Sequence, residues 1–376
     1  MPRVLVDLLS YSGTKGGMET YTRELYRALG ALGGDWEYVG YLSREGTLLD
    51  RSWFPGRIIE SGISGENRFA WAWGELTQVA RAARAADADL VHAPATLGPR
   101  KTAMPTVVTM HDMLYWSHPE YMSTPLYTAP VKLMEKLAAR NAERIITISP
   151  ESADEIVKYL GVDRRKLDVI PLAGSVPHGV DRSLAGSEGP MVVAMGNRRP
   201  HKNWGALIRA AALLPPQERP RVVITGGRGE DPLTPLVREL GMQDSVDLRG
   251  WVDDDEMRHL YSTADALVIP SYAEGFSLPT LEAMGAGIPV LLSDIRVHRY
   301  VAGEAARFFP PDDHAALAAL LRDVTSDARL RASLSDAGVA RAAGFTWRRT
   351  AEETRRSFEK ALGMPASGQP AAHDAI

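Results

Sequence analysis

Two glutamates, Glu274 and Glu282, stand eight positions apart in PSYAEGFSLPTLEAMGAGIPV, residues 270–290. An apolar run, Ala266–Ile269, ends at a Pro-Ser pair, and Pro279 then suits the first position of a helix. The amides of Gly275, Phe276, Ser277 and Leu278 would point from that helix N-terminus, an anion-binding arrangement. Glu274 falls in the loop and Glu282 in the first turns of the helix, at the C-terminal end of a buried strand, where open α/β sheets take ligands. Paired hydroxyls of a ribose or a sugar are natural partners for two such carboxylates. Taken singly, Glu274 is as easily a solvated loop residue and Glu282 a complement to the helix dipole. The combination of Glu, Gly-Phe, Pro, Glu-Ala and Gly-x-Pro-Val is what carries the reading.

The elements that must position these residues follow from patterning. Short Val/Ile/Leu runs occur at residues 4–9, 90–92, 106–110, 145–148, 167–170, 191–195, 221–225, 247–248, 266–269 and 290–292. Continuous runs of this kind mark strands buried on both faces of a parallel sheet. Amphipathic segments lie between them, at 18–32, 133–142, 152–159, 204–214, 233–240 and 255–262. Strand and helix in alternation predict an α/β, doubly wound architecture. The alternation breaks once, at LAGSVPHGVDRSLAGSEGP, residues 172–190, a stretch rich in Gly, Pro and Ser that reads as a linker. The expected organisation is a domain at 1–171, a linker at 172–189 and a second domain at 190–344. A charged helix at 345–362 and a disordered tail at 363–376 complete it.

Composition bounds the function. The chain has 376 residues, a net charge of −4 and no cysteine. Thiolate metal sites, disulfides and cysteine nucleophiles are excluded, and the charge balance argues against nucleic acid as a partner. No signal peptide and no membrane span are visible, so a cytoplasmic protein is expected.

On the Glu274/Glu282 segment the chain resembles the retaining glycosyltransferases of family four, whose signature is two glutamates separated by seven residues. The resemblance extends over most of the chain and implies the GT-B architecture, two Rossmann-like domains facing across a cleft. GNRRPHKNWGALIRA, residues 196–210, is similar to the family's donor-diphosphate segment. Lys202 matches its lysine, and a cation there can neutralise a leaving diphosphate. The Arg that relatives carry directly after the Gly is Asn197 here, so its role passes to Arg198 or Arg199. Gly250, Trp251 and Val252 match positions near the nucleotide base. Asp253, Asp254 and Asp255 could suggest a metal, but a helix cap is the favoured reading, and no metal and no cofactor are expected. Gly16 and Gly17, between a strand and a helix, match the family's N-terminal Gly-rich loop, with Glu19 facing the acceptor. His111 matches a cleft histidine near the donor sugar. Beside it, Asp112 could orient the acceptor or be structural, and Ser149 could make a contact.

The resemblance implies transfer of a hexosyl unit from a nucleoside-diphosphate sugar to a small-molecule, glycan or lipid-linked acceptor. Its flavour is that of polysaccharide mannosyltransferases, with GDP-mannose as first donor and UDP-sugar or deoxysugar donors open. His111, Lys202 and Glu274 are the expected catalytic residues. Gly16, Gly17, Arg198, Arg199, Trp251, Val252, Gly275, Phe276, Ser277, Leu278 and Glu282 would bind the ligands. A nucleotide-sugar 2-epimerase and a non-catalytic nucleotide-sugar-binding protein are the alternatives. Two further features stand apart. Lys132, Lys136, Arg140 and Arg144 recur every fourth residue, a stripe that could touch a membrane surface weakly, although a solvated face is favoured. FAWAW, residues 69–73, could stack on an acceptor sugar, although packing is the commoner use.

Overall fold

The computed structural model of the chain describes residues 1–14, 16–122 and 125–365. Most of the tail expected to be disordered, residues 366–376, lies outside them. The chain forms two compact units. The first comprises Met1–Leu172 with the segment from Thr346 onward, and the second is Ala173–Phe345.

The first unit is built on seven strands, β1 (Arg3–Leu8), β2 (Glu37–Leu42), β3 (Arg57–Glu60), β4 (Leu90–Ala93), β5 (Thr106–Met110), β6 (Arg144–Thr147) and β7 (Leu167–Val169). All pair parallel, in the order β3-β2-β1-β4-β5-β6-β7. The helices between them are α1 (Gly17–Ala31), α2 (Arg68–Trp73), α3 (Val79–Ala85), α4 (Leu114–Ser117), α5 (Pro125–Asn141) and α6 (Pro150–Leu160). The central strands are buried on both faces, as their unbroken apolar runs require. β2 and β3 are absent from the sequence reading. Gly40 interrupts the apolar run of β2, in a tight place where a Cβ would lie 2.9 Å from Leu8 Cδ1 and 3.2 Å from Phe54 Cζ, so that these side chains would have to shift.

The second unit has β8 (Met191–Met195), β9 (Arg221–Thr225), β10 (Val246–Leu248), β11 (Ala266–Ile269), β12 (Val290–Ser293) and β13 (Arg307–Phe309). They are also all parallel, in the order β10-β9-β8-β11-β12-β13. Its helices are α7 (Trp204–Ala212), α8 (Thr234–Glu239), α9 (Asp254–Thr263), α10 (Leu278–Gly285), α11 (Arg296–Ala302), α12 (His314–Ser326) and α13 (Ala328–Ala342). Strand order reverses between β8 and β11. The loops leaving these two strands therefore run in opposite directions along the sheet and open a crevice between them, the place where doubly wound sheets bind ligands.

The Gly/Pro/Ser-rich stretch is fastened to the second unit at α9. Asp181 N donates to Ser262 Oγ (3.0 Å), Arg182 Nη1 to the Tyr261 carbonyl (2.7 Å) and Gly186 N to the Thr263 carbonyl (3.0 Å). The last helix, α14 (Trp347–Ala361), belongs to the first unit. Its buried face carries Ala351, Thr354 and Phe358, with Phe358 5.1 Å from the His92 ring. Thr350 Oγ1 donates to the Pro171 carbonyl (2.8 Å), and Ser357 and Lys360 both bond Asp168 (2.8 and 2.6 Å). Among the described residues no helix is long and apolar enough to cross a membrane.

Candidate active site

In the second unit the two switch-point loops meet. After β8 the chain makes a short turn, Pro200–Lys202, and Asn203 adopts a left-handed conformation (φ 53°) ahead of α7. Asn203 Nδ2 donates to the carbonyls of Pro270 (3.2 Å) and Pro311 (3.1 Å), and Tyr272 N donates to the His201 carbonyl (2.8 Å). These bonds stitch the turn to the loop after β11. Lys202 Nζ thereby reaches both carboxylate oxygens of Glu274, at 2.8 and 2.9 Å. Ser271 Oγ adds a third bond to Glu274, at 2.6 Å. Burial pushes the Glu274 carboxyl up, but the Lys202 charge, His298 and these hydrogen bonds outweigh it and hold the group below the usual carboxylate range. The site therefore holds an ion pair whose lysine is 19% exposed and whose glutamate is 9% exposed.

Beyond Glu274 the loop turns into α10. Ser277 precedes the helix with φ 74°, a left-handed conformation costly for a residue with a Cβ, and its hydroxyl bonds Thr280 Oγ1 at 2.8 Å. The helix begins at Leu278, so Pro279 takes its second position, not the first. The amides of Gly275, Phe276, Ser277 and Leu278 donate no hydrogen bond among the described residues, which leaves them available to an anion at the helix N-terminus. Glu282 lies one turn into α10, and Tyr261 OH donates to its Oε2 at 3.5 Å. Glu274 and Glu282 thus occupy the loop and the helix, each with partners of its own.

Of the two arginines, the structure separates the roles. Arg198 turns inward. Its Nε donates to Asp231 (2.7 Å), and its two Nη atoms donate to the carbonyls of Thr225 (2.7 Å), Ile224 (2.8 Å), Gly196 (3.2 Å) and Arg249 (3.2 Å). A guanidinium so engaged ties β8, β9 and β10 together and has no donor left for a ligand, so the expectation that Arg198 binds the donor is corrected. The Arg199 side chain is exposed and carries no bond among the described residues. Trp251 is 70% exposed and Val252 is buried. The Asp253 carboxylate accepts from Glu256 N at 2.9 Å and caps α9.

In the first unit, Gly16 precedes α1 with φ 58° and ψ −122°, a conformation that favours glycine, and Gly17 begins the helix. Glu19 Oε1 accepts the amides of Ser12, Gly13 and Thr14 (2.8, 2.9 and 3.2 Å); it holds the loop. His111, at the end of β5, is buried against Tyr21, ring centroids 4.9 Å apart. Its Nε2 lies 2.8 Å from the Pro94 carbonyl, so Nε2 carries the hydrogen and Nδ1 is an acceptor. Burial depresses its pKa against the opposing pull of Pro94 and Asp112, and Nδ1 has no partner among the described residues. Asp112 accepts from Leu114 N (3.0 Å) and Ser149 caps α6 (3.2 Å). The basic stripe is shorter than its spacing suggested, because α5 ends at Asn141 and Arg144 lies on β6, paired with Asp168 at 2.6 Å. In FAWAW, Phe69 is 89% exposed, while Trp71 Nε1 donates to Glu75 (2.8 Å).

Ser271, Asn203 and His298 were missed by the sequence reading. Only the loop-to-loop pairing gives them meaning, and nothing in their spacing signals it.

Fold and site together describe a glycosyltransferase of the GT-B type. Residues 181–341 match the family of Glycosyl transferases group 1 and residues 15–173 match Glycosyltransferase Family 4. The chain is 30% identical to an MMP alpha-(1->4)-mannosyltransferase of Mycolicibacterium hassiacum, over 96% of this chain and 99% of that one. It is 29% identical to O-antigen chain mannosyltransferase B of Escherichia coli, over 67% and 70%. Among solved structures, sucrose-phosphate synthase from Thermosynechococcus elongatus superposes with a TM-score of 0.76 at 21% identity, covering 96% of this chain and 99% of that one. Anabaena HepE, solved in complex with UDP-glucose, superposes with a TM-score of 0.73 at 20% identity, covering 96% and 100%. The chain belongs to the family 4 glycosyltransferases.

Proposed function

We propose that the chain moves a hexosyl unit from a nucleoside-diphosphate sugar, GDP-mannose first, to an acceptor hydroxyl with retention at the anomeric carbon. The observation that carries this reading is the Lys202–Glu274 pair at the β8/β11 switch point, beside the open amides of α10. The two mannosyltransferase relatives support the choice of sugar. In this reading Lys202, Arg199 and the amides of residues 275–278 neutralise the leaving diphosphate. The acceptor oxygen bonds the anomeric carbon from the face that the diphosphate leaves, the carbon–phosphate-oxygen bond breaks, and the acceptor proton passes to the departing β-phosphate. Glu274 holds the transferred sugar, Glu282 the ribose, and Trp251 the base. His111 Nδ1 accepts from a sugar hydroxyl, and Gly16 and Gly17 let a ligand approach the backbone.

A thermal-shift panel of GDP, UDP, ADP and TDP identifies the base, since a bound ligand raises stability by mass action. Product NMR with the matching donor then reads the anomeric configuration. An inverted product, or free monosaccharide without an acceptor, overturns the proposal.

Two results are expected from the same assay. Glu282→Gln raises the donor KM roughly ten- to a hundredfold, the loss of a charged hydrogen bond worth about 1.5–3 kcal/mol, with kcat little changed; an unaltered KM removes Glu282 from the ribose. Activity also survives excess EDTA, because protein cations and a helix terminus take the place of a metal. Loss on chelation, restored by Mn²⁺ or Mg²⁺, would reverse that assignment.

A further inference from the structure

The loop holding Glu274 is backed by a histidine with no part in the scheme above. His298, on α11, is fully buried. Its Nδ1 lies 2.8 Å from the Ser293 carbonyl and 3.1 Å from Ser293 Oγ. A carbonyl only accepts, so Nδ1 carries the hydrogen and Nε2 is left as a bare lone pair. Nε2 is buried and has no partner among the described residues. A native fold rarely leaves a buried acceptor unpaired.

The ring is joined to the ion pair through two serines. Ser293 Oγ donates to the Ser271 carbonyl at 2.5 Å, and Ser271 Oγ donates to Glu274 Oε1 at 2.6 Å. The charged groups acting on the ring are Glu274, from the loop after β11, and Lys202, from the turn before α7. On the exposed side, Arg299 and Asp294 pair with each other at 2.7 Å. In the free chain burial is the largest influence and, with the Lys202 charge, keeps the imidazole neutral against the opposing pull of Glu274. Lys202 meanwhile satisfies both oxygens of Glu274. A diphosphate that engages Lys202 changes this balance. The lysine charge is then shared with the phosphates, and a carboxylate that is 9% exposed loses its full counter-charge.

We propose that His298 is a positioning residue for Glu274: when a nucleoside-diphosphate donor draws on Lys202, Nε2 takes one proton from solvent, and the imidazolium becomes the second counter-charge that keeps the carboxylate ionised and in place. The proposal rests on the donor site assigned above.

The test is calorimetric binding of GDP-mannose and UDP-glucose to the full chain between pH 6 and 8, in buffers of different ionisation enthalpy. Neither donor titrates its diphosphate in that range. The expected result is proton uptake on binding, with affinity falling by up to about tenfold per pH unit where the ring is neutral in the free chain and charged in the complex. His298→Asn keeps a donor to the Ser293 carbonyl and removes Nε2. It is expected to bind the donor without proton uptake and with a flat pH dependence. Its kcat falls more than its KM rises, and His298→Gln restores part of the kcat but not the pH dependence. Donor binding by the wild-type chain with no proton uptake overturns the role of His298, as does uptake that persists unchanged in His298→Asn. The wild-type measurement decides by itself if the variants do not fold. Failure of both donors to bind at any pH overturns the donor-site assignment instead, so the two failures are distinct.

Discussion

Lys202→Ala lowers kcat by about a hundred- to a thousandfold, the loss seen when one preorganised charge-stabilising group is removed. The contact strengthens as negative charge gathers on the leaving phosphate, so the loss falls on kcat, while nucleoside monophosphate affinity stays near the wild-type value. The structure adds a second consequence. Glu274 is held ionised against its burial by Lys202 ahead of its other partners. Without the lysine the largest force opposing burial is gone, and with only His298 and Ser271 left to oppose it the carboxyl retains its proton to higher pH than in the wild-type chain. The pH profile of kcat/KM in Lys202→Ala should therefore move its acid limb upward, and Lys202→Arg should recover only part of the rate, since a planar guanidinium cannot occupy the same point. Steady-state kinetics across pH check both. A near-normal kcat in Lys202→Ala would reduce the turn before α7 to a solvated loop.

The adjacent arginines should part company just as clearly, in stability instead of rate. Arg198→Ala removes the counter-charge of the Asp231 carboxylate, which is 13% exposed and then keeps the Leu233 amide (3.0 Å), and takes donors from four backbone carbonyls. Breaking a buried pair in this way costs about 3–5 kcal/mol, and denaturant unfolding of the second unit should register it. Arg199→Ala should leave the unfolding midpoint within experimental scatter and lower kcat. The opposite pattern, a stable Arg198→Ala with reduced kcat, would return the donor-binding role to Arg198.

These paired arginines also mark where the sequence stops being readable. In NRRPHKN nothing separates Arg198 from Arg199; the inward turn of the first is decided by Asp231, 33 positions on. Lys202 and Glu274 each stood out by context, yet their pairing spans 72 positions and depends on β8 and β11 being neighbours, which local patterning does not encode. Strands with continuous buried runs, such as Thr106–Met110 and Ala266–Ile269, were legible to the residue because burial on both faces leaves no charged position. β2 and β13 were not, the first broken by Gly40 and the second, Arg307–Phe309, starting on an exposed arginine and carrying no Val, Ile or Leu. Helices α12 and α13 escaped for another reason. Their Ala, Arg and Asp residues give a weak amphipathic contrast, although Leu317, Leu321 and Leu334 are buried.

The place of α14 has a consequence for how the chain is made. The first unit is complete only when residues 347–361 arrive, since Phe358 packs on His92 and Asp168 receives Ser357 and Lys360. Between the synthesis of Leu172 and that of α14 the ribosome must produce the whole second unit, a delay of roughly ten to thirty seconds at ~5–20 residues per second. Over that interval the first sheet carries an open apolar seam while the second unit is free to close. Vectorial synthesis thus favours the second unit folding to completion first, although it is encoded later. A nascent chain stalled just before α14 should be protease-sensitive in its first unit and protected in its second.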